Sequence, residues 1–268
     1  MRKFKLIAAD LDGTLLDDTY TVMPELLDCI DKSRCRGVEL AVATGRLYPS
    51  ALPFVKDLKV SLPVIASNGA VVRDPRTGEL IYALPLARDL ALEALKLTAG
   101  GTAQRFVNIR DTFYTDASEE ASRKYSEALR IQFTRKIPLE DAVTEDPTMV
   151  VIRDREEEIS RLTAILRENF GDRIYIANSK PFFVDINNPG VSKGAALLNL
   201  CRSIGVRPEE VIAVGDGWND LEMFKAAGIG AAVANAPDKL KERADFVCTK
   251  PSYRGVIEVI QRFILSGE

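Results

Sequence analysis

Short apolar runs and amphipathic segments alternate in the first quarter of the chain. Residues 6–9, 38–43 and 63–66 are apolar runs bounded by polar residues, a pattern typical of buried parallel strands. Between them, residues 24–36 and 50–58 have the pattern of helices, and a glycine follows the first of these. Strands and helices that alternate over short connections predict a parallel α/β layer with right-handed crossovers.

The hydrophobic pattern changes in the middle of the chain, where turn-forming residues separate apolar segments that we predict to pair as hairpins. The predicted strands are residues 70–72, 80–82, 104–109, 112–115, 149–152, 174–177 and 182–186, and the predicted helices are residues 87–98 and 156–170. Residues 135–147 show no readable pattern. Paired strands with separate helices indicate that this section is of the α+β type.

The alternation of strands and helices returns after residue 191. The predicted strands are residues 211–214 and 229–233, and the predicted helices are residues 192–204, 220–227 and 253–265. We therefore predict an α/β protein with a Rossmann-like parallel-sheet core and an inserted α+β domain. The core would comprise residues 1–82 and 189–268, and the insertion residues 83–188.

Composition narrows the chemistry that the protein can perform. The 268 residues include 36 Lys+Arg and 39 Asp+Glu, which gives a net charge of −3, and no His. The absence of His excludes a Ser-His-Asp or Cys-His triad, His-ligated zinc and imidazole catalysis. The slightly acidic balance argues against nucleic-acid binding, which needs a basic surface. Any catalysis must rely on carboxylates, hydroxyls, amines, thiols or a metal held by oxygen.

Hydropathy and cysteine spacing favour a cytoplasmic protein without membrane association. The first apolar run stops at Asp10, which makes it too short for a signal peptide, and no run approaches the roughly 18 apolar residues of a membrane span. The four cysteines form no C-x-x-C pair and no disulfide framework, so we expect reduced, mostly buried thiols. The sequence gives no indication of the oligomeric state.

Polar clusters follow four of the predicted strands, at the edge where α/β proteins bind ligands. Asp10 and Asp12 place two carboxylates on one tight loop, and Asp216 and Asp220 add two more. Crowded carboxylates repel unless a cation joins them, and Mg²⁺ prefers such oxygen ligands. The structural alternative is a turn that merely needs Asp and Gly. The four clusters are DLDGT at 10–14, TGR at 44–46, SNG at 67–69 and GDGWND at 215–220.

Two further residues point to an anionic ligand. The hydroxyl of Thr44 and nearby backbone N–H groups could donate to a phosphoryl oxygen, although Thr44 could equally cap the following helix. Lys193 begins a predicted helix, a position that is mildly unfavourable for a cation and therefore indicates an anionic partner. The alternative for Lys193 is an ordinary solvated lysine.

Together these residues are similar to the four ordered motifs of the haloacid dehalogenase (HAD) superfamily. The matching segments are residues 10–14, Thr44, Lys193 and residues 215–220. The insertion between the second and third motifs resembles the type IIB cap of the Cof-like sugar phosphatases, so the resemblance implies that residues 83–188 form a cap domain. Residues 67–70, residues 228–230 and Asn235 also resemble that group.

The resemblance implies a role for each motif residue. Asp10 would be the nucleophile that forms an aspartyl-phosphate, and Asp12 the general acid and then the general base. Mg²⁺ would be held by Asp10, the backbone carbonyl of Asp12, and Asp216. Asp220 would orient Lys193 or a metal-bound water. The residues expected to bind the phosphoryl group or the rest of the substrate are Leu11, Thr44, Gly45, Arg46, Asn68, Lys193 and Asn219.

The implied function is a Mg²⁺-dependent phosphatase that hydrolyses small phosphomonoesters, sugar phosphates or related metabolites. A phosphosugar mutase of the same superfamily stays open, because the cap decides between the two reactions. A non-enzymatic phospho-accepting module is a third alternative, since receiver domains also combine carboxylates, a Thr and a Lys around Mg²⁺; such a module would need only about half this length. Candidate residues for substrate selection in the cap are Tyr114, Arg123, Phe182, Phe183 and Asn187.

Overall fold

The apolar runs and amphipathic segments form strands and helices in nearly the order that the sequence predicts. The computed structural model describes residues 4–178 and 181–266, and within them we number fourteen strands and nine α-helices. The strands are β1 (Leu6–Ala9), β2 (Glu39–Val42), β3 (Val64–Ala66), β4 (Val71–Arg73), β5 (Leu80–Ala83), β6 (Gln104–Ile109), β7 (Thr112–Thr115), β8 (Phe133–Arg135), β9 (Met149–Arg153), β10 (Tyr175–Ala177), β11 (Phe183–Asn187), β12 (Val211–Gly215), β13 (Ile229–Ala232) and β14 (Phe246–Val247). The helices are α1 (Pro24–Cys35), α2 (Tyr48–Asp57), α3 (Arg88–Leu97), α4 (Glu119–Leu129), α5 (Glu156–Phe170), α6 (Lys193–Ile204), α7 (Leu221–Ala226), α8 (Asp238–Lys241) and α9 (Ser252–Ile260).

A parallel sheet with the strand order β14-β13-β12-β1-β2 forms the centre of the first of two units. This unit comprises the described parts of Met1–Leu47, Ala51–Ile81 and Ser192–Glu268. Strands β1 and β12 are buried along their whole length, as expected at the centre of a parallel sheet that is covered on both faces. Because the five strands run in one direction, their carboxyl ends lie along one edge of the sheet.

A small sheet of β3, β4 and β5, in which β3 and β4 are antiparallel, adjoins the end of β2. The backbone N–H of Thr44 donates to the carbonyl oxygen of Ile65 at 2.8 Å, which ties the chain after β2 to β3. After β3 the chain turns through Ser67 and Asn68, whose φ angles are 52° and 59°. Asn tolerates this left-handed conformation better than most residues with a side chain.

The second unit comprises Tyr48–Ser50 and the described part of Tyr82–Val191, and its centre is a six-stranded sheet. The strand order is β10-β11-β9-β6-β7-β8, antiparallel except for the parallel pair of β7 and β8. Helices α3 and α5 contribute Leu95 and Leu166 to a core with Val107 and Val150 of the sheet. The predicted hairpin of β6 with β7 and the predicted pairing of β10 with β11 are confirmed.

A parallel-sheet α/β core with a separate α+β section is therefore confirmed as the fold class. The exact bounds that we assigned to a core and a cap stay a prediction. The four cysteines are free, and three of them (Cys29, Cys201 and Cys248) are buried, as expected, whereas Cys35 is exposed.

Four elements escape prediction because they are short or polar. Helix α4 is rich in charged residues and has few apolar ones, and its start is marked only by Ser118, whose hydroxyl accepts from the N–H of Ala121. Helix α8 spans about one turn, and strands β8 and β14 contain only a few residues each. The predicted last helix is divided, since α9 ends at Ile260 and a wider helical turn follows over Gln261–Leu265.

Gly194 allows α6 to lie against α7, and this contact yields a stability prediction. A Cβ atom at Gly194 would lie 2.2 Å from the backbone carbonyl oxygen of Glu222, which cannot move without α7. We expect Gly194→Ala to lower the free energy of unfolding by about 1–3 kcal/mol, the usual range for an overpacked core. Thermal unfolding followed by circular dichroism measures the change. Asn199→Ala, on the exposed face of α6, is the matched control, and equal Tm values for the two variants would contradict the prediction.

Candidate active site

The loops at the carboxyl edge of the parallel sheet gather most of the predicted site residues. Asp10 directly follows β1, Thr44 lies two residues after β2, and Asp216 directly follows β12. Lys193 is the first residue of α6, whose start is fixed by the hydroxyl of Ser192 accepting from the N–H of Ala195. All of these residues belong to the first unit, so the site can be described within it.

Lys193 is the centre of the site because it joins two carboxylates in the protein interior. Its Nζ donates to Oδ1 of Asp10 and to Oδ1 of Asp220, both at 2.7 Å, and its side chain is 0% exposed. Burial lowers the pKa of Lys193, but the charges of Asp10 and Asp220 outweigh that effect and raise it above the ordinary value. The sequence left open a solvated position for Lys193, and this position is excluded.

Asp10 lies in an environment that opposes its ionisation. Burial raises the pKa of Asp10 well above its ordinary value; the charge of Lys193 lowers it, and the nearby carboxylates of Asp220 and Asp216 raise it further. A buried carboxyl group among other acids binds a proton readily unless a cation compensates its charge. The negative charge of these carboxylates is therefore larger than the single ammonium group of Lys193 can neutralise.

Asp220 organises the loop after β12. Its Oδ2 accepts hydrogen bonds from the backbone N–H groups of Asp216 and Gly217, both at 2.9 Å, while Oδ1 accepts from Lys193. A Cβ atom on Gly215 would lie 2.4 Å from the Asp220 carboxyl group, which explains the glycine at the end of β12. Because both of its oxygens are engaged, Asp220 is suited to hold the loop and the lysine in place.

Asp216 is held from the opposite side by Thr14 and Asn235, to which the sequence analysis gave no role in the site. Its Oδ1 accepts from the hydroxyl of Thr14 at 2.9 Å, and its Oδ2 accepts from Nδ2 of Asn235 at 3.1 Å. The same Nδ2 donates to the carbonyl oxygen of Gly13, whose φ of 81° favours glycine. The position of Asn235 just after β13, another strand of the same sheet, is a signal that would have identified it.

Three carboxylates lie close enough to share a metal ion. One oxygen from each of Asp10, Asp216 and Asp220 lies within 4.8 Å of the others. The carboxylate of Asp12 does not belong to this group. It forms a two-pronged ion pair with Arg46, in which Nε and Nη2 of Arg46 donate to Oδ2 and Oδ1 of Asp12, both at 2.6 Å.

The remaining predicted residues support the loops at the same edge. Oγ1 of Thr44 accepts from the backbone N–H of Arg46 at 3.0 Å, so it stabilises this turn, whereas α2 begins only at Tyr48. Nδ2 of Asn219 donates to Oδ1 of Asn68 at 2.9 Å, which links the loops after β12 and β3. A Cβ atom on Gly45 would lie 2.9 Å from the same Asn68 oxygen.

The structure brings together most of the candidate residues that belong to the first unit. The acidic cluster, Thr44 and the Asn68–Asn219 pair lie in the segments that follow β1, β2, β3 and β12, and Lys193 lies at the start of α6. The side chain of Leu11 is fully buried, so only its backbone could bind a ligand. Of the predicted cap residues, Asn187 is buried and Arg123 and Phe182 are exposed.

A parallel α/β core that gathers carboxylates and a buried lysine at one edge is the arrangement expected of hydrolases that act on phosphate-bearing substrates. Comparison with known proteins identifies the family within this class. The chain belongs to the haloacid dehalogenase-like hydrolases, whose family pattern matches residues 7–260. The resemblance drawn from the four motifs is therefore confirmed.

Full-length relatives agree with this assignment. The Bacillus subtilis protein YxeH, named as a phosphatase, is 31% identical over 98% of this chain and 99% of its own. The 5-amino-6-(5-phospho-D-ribitylamino)uracil phosphatase YcsE of B. subtilis is 28% identical over 97% of this chain and 96% of its own. A solved subclass IIB sugar phosphatase of the superfamily has the same fold, with a TM-score of 0.82, 21% identity and coverage of 97% of this chain and 98% of that one.

The family establishes the general activity. The protein is a phosphoric monoester hydrolase of the HAD type, with a Rossmann-like core and a cap domain. Enzymes of this family act on small-molecule phosphates and use a divalent metal ion, which agrees with the cluster of Asp10, Asp216 and Asp220. Among the described residues, no helix combines the length and the apolar character that crossing a membrane requires.

The burial of Lys193 predicts a large loss of stability on its removal. Lys193→Ala leaves Asp10 and Asp220 in the interior without their shared cation, and breaking a buried ion pair from one side costs about 3–5 kcal/mol. We expect a Tm decrease of roughly 2–4 °C per kcal/mol, measured by calorimetry. Lys225→Ala is the control, because its ion pair with Glu222 is exposed. A Tm for Lys193→Ala close to that of Lys225→Ala would contradict the prediction.

The charge state of Asp216 predicts a pH-dependent stability in the absence of metal. Burial, and then the charge of Asp220, raise the pKa of Asp216 from 3.8 to about 7. The folded protein therefore keeps a proton there that the unfolded chain has already lost. The contribution of Asp216 to stability is present below about pH 4 and is lost as the pH rises through about 7.

We expect the Tm in EDTA to decrease from about pH 5 to about pH 8, and to decrease less in Asp216→Asn, which has no proton to lose. Differential scanning fluorimetry over this range measures both slopes. Asp238→Asn, an exposed substitution on α8, should keep the wild-type slope. Three parallel curves would show that Asp216 ionises in the folded protein as it does in the unfolded chain.

Proposed function

We propose that the protein is a Mg²⁺-dependent phosphatase that hydrolyses small phosphomonoesters of polyhydroxylated compounds, such as sugar phosphates, through an aspartyl-phosphate on Asp10. The observation that carries this proposal is the buried Lys193, which holds Asp10 at 2.7 Å within a cluster of three carboxylates. A carboxylate can attack an anionic phosphate only where nearby cations screen the repulsion between them.

Asp10 is proposed as the nucleophile. Its carboxylate oxygen would bond to phosphorus while the ester P–O bond breaks, which leaves an acyl phosphate on Asp10 and the alcohol as leaving group. Water would then attack phosphorus, and breakage of the acyl phosphate P–O bond would release inorganic phosphate and restore the carboxylate. Lys193 keeps the attacking group in place, because its contact with Oδ1 restricts rotation of the Asp10 side chain.

Asp12 is proposed as the acid and base of the two steps. It lies two residues after Asp10 on the same loop and is partly exposed, so it is accessible to a substrate. In the pair with Arg46 both oxygens of Asp12 accept hydrogen bonds, as an ionised carboxylate does. Asp12 would first take up a proton from solvent on one oxygen, which would release one hydrogen bond to Arg46, and would give this proton to the oxygen of the leaving alcohol. As a carboxylate again, it would later take a proton from the attacking water. Protonation of the leaving group by a positioned side chain typically contributes about 10²–10⁴-fold to the rate.

The acidic cluster fits a magnesium ion. The donor set consists of hard oxygen atoms, and the raised pKa values of Asp10 and Asp216 express a deficit of positive charge. We propose Asp10, Asp216 and the backbone carbonyl of Asp12 as ligands, with Asp220 positioning them. When bound, the ion would neutralise charge that develops on the phosphoryl oxygens.

The phosphoryl group would be bound by donors that surround the same edge. We propose the hydroxyl of Thr44, the ammonium of Lys193 and the amide of Asn219, together with backbone N–H groups at Leu11 and Gly45. Asn68 would orient Asn219 through their 2.9 Å hydrogen bond. Donors that are fixed before the substrate arrives stabilise the transition state without reorganisation.

The class of substrate follows from the relatives. YcsE acts by name on a phosphorylated ribityl compound, and the solved subclass IIB relative is a sugar phosphatase. Both descriptions contain a phosphate ester on a chain that carries hydroxyl groups. The names of these relatives favour hydrolysis over the mutase reaction that the sequence left open.

Phosphate release tests the proposal. We expect release from a panel of sugar phosphates and from p-nitrophenyl phosphate with Mg²⁺, its loss in EDTA and its loss in Asp10→Asn, because that variant lacks an attacking carboxylate. Asp238→Asn, prepared in the same way, should retain wild-type rates. Wild-type turnover in Asp10→Asn would refute the nucleophile, equal turnover in EDTA would refute the metal, and release from p-nitrophenyl phosphate alone would refute the substrate class.

A further inference from the structure

Arg46 is anchored more firmly than the carboxylate that it contacts. Its guanidinium carbon lies 5.2 Å from the ring centre of Tyr20 and 4.9 Å from that of Phe54, so two aromatic rings flank it. Its side chain is 7% exposed, against 21% for Asp12. Cation–π contacts in a buried setting hold a guanidinium group in one plane.

The backbone of Arg46 is fixed as well. Its N–H donates to Oγ1 of Thr44 at 3.0 Å, and its carbonyl oxygen accepts from the N–H of Ser67 at 2.8 Å. Both ends of the side chain are therefore determined by the fold. The two hydrogen bonds of 2.6 Å to Asp12 then fix the plane of the Asp12 carboxylate, since a guanidinium and a carboxylate pair in a planar, two-pronged geometry.

We infer that Arg46 is a positioning residue that holds the acid–base group Asp12, and that the aromatic pair of Tyr20 and Phe54 fixes Arg46 for this task. The inference rests on the proposed function, and it assigns Arg46 a role different from the substrate contact that the sequence predicts. A guanidinium that already binds both oxygens of Asp12 acts on the reaction through Asp12.

The chemistry of the leaving group distinguishes a positioning role of Arg46 from a direct contact of Arg46 with the substrate. An alkyl phosphate releases an alkoxide unless a proton reaches the ester oxygen as the P–O bond breaks, so its turnover depends on a well-placed Asp12. p-Nitrophenyl phosphate releases p-nitrophenolate, a stable anion that needs no proton. Misplacing Asp12 therefore slows hydrolysis of the alkyl ester far more than that of the aryl ester.

Steady-state kinetics of Arg46→Ala on glucose 6-phosphate and p-nitrophenyl phosphate test the inference. We expect kcat for glucose 6-phosphate to fall by about 10²-fold, kcat for the aryl ester by less than about fivefold, and both KM values to stay close to wild type. Arg46→Lys, which keeps the charge and one hydrogen bond, should recover part of the loss. The double variant Asp12→Asn/Arg46→Ala should be no slower than Asp12→Asn alone, because the two residues act as one unit.

Arg34→Ala controls for the loss of a partly buried arginine. Arg34 pairs with Asp31 at 2.8 Å outside the site, and its removal should lower the Tm without changing the ratio of alkyl to aryl turnover. An equal rise of both KM values in Arg46→Ala, additive with Asp12→Asn, would overturn the inference in favour of a substrate contact. Equal losses of kcat on both esters with a lowered Tm would overturn it in favour of a structural role. Either outcome leaves the proposed function intact, whereas a wild-type enzyme that releases phosphate from neither ester would overturn both.

Discussion

One buried ammonium group offsets the acidic cluster on which the rest of the site depends. Lys193 is fully buried and contacts Asp10 and Asp220, while Asp216 adds a third carboxylate to the same group. Three acids near a single cation leave a deficit of positive charge, and the raised pKa values of Asp10 and Asp216 report that deficit. Under the proposed function, such a site would bind a divalent cation and a phosphate ester together more favourably than either alone, because each would compensate the charge of the other.

The fold serves this charge arrangement by bringing loops close together. Glycines stand where a side chain would displace a carboxylate: a Cβ atom on Gly13 would meet Asp216, and one on Gly215 would meet Asp220. The two acids of the loop after β1 pair with different cations: Asp10 is bound by Lys193, and Asp12 is bound by Arg46. Two carboxylates only two residues apart thereby acquire separate environments, which is the condition for separate tasks in catalysis.

The positions of the strands, and the polar residues that follow them, could be predicted from the sequence because both depend on the local pattern of apolar and polar residues. Apolar runs identified β1 and β12, and the polar residues after them identified Asp10 and Asp216. The partners of these residues were less accessible, because Thr14, Asn235 and the Asp12–Arg46 pair depend on which loops meet in three dimensions. Helix α4 escaped prediction because charged residues dominate it, and Lys193 could have been a surface residue until its burial was known.

The covalent step is the central claim, and trapping it is the most direct test. Wild-type enzyme mixed with Mg²⁺ and a substrate, quenched in acid within milliseconds and digested, should yield a peptide that contains Asp10 and one additional phosphoryl group. The account predicts that mass spectrometry places this group on Asp10 and that it disappears as inorganic phosphate accumulates. A phosphoryl group on another residue, or phosphate formed in a first turnover without any phosphorylated peptide, would contradict it.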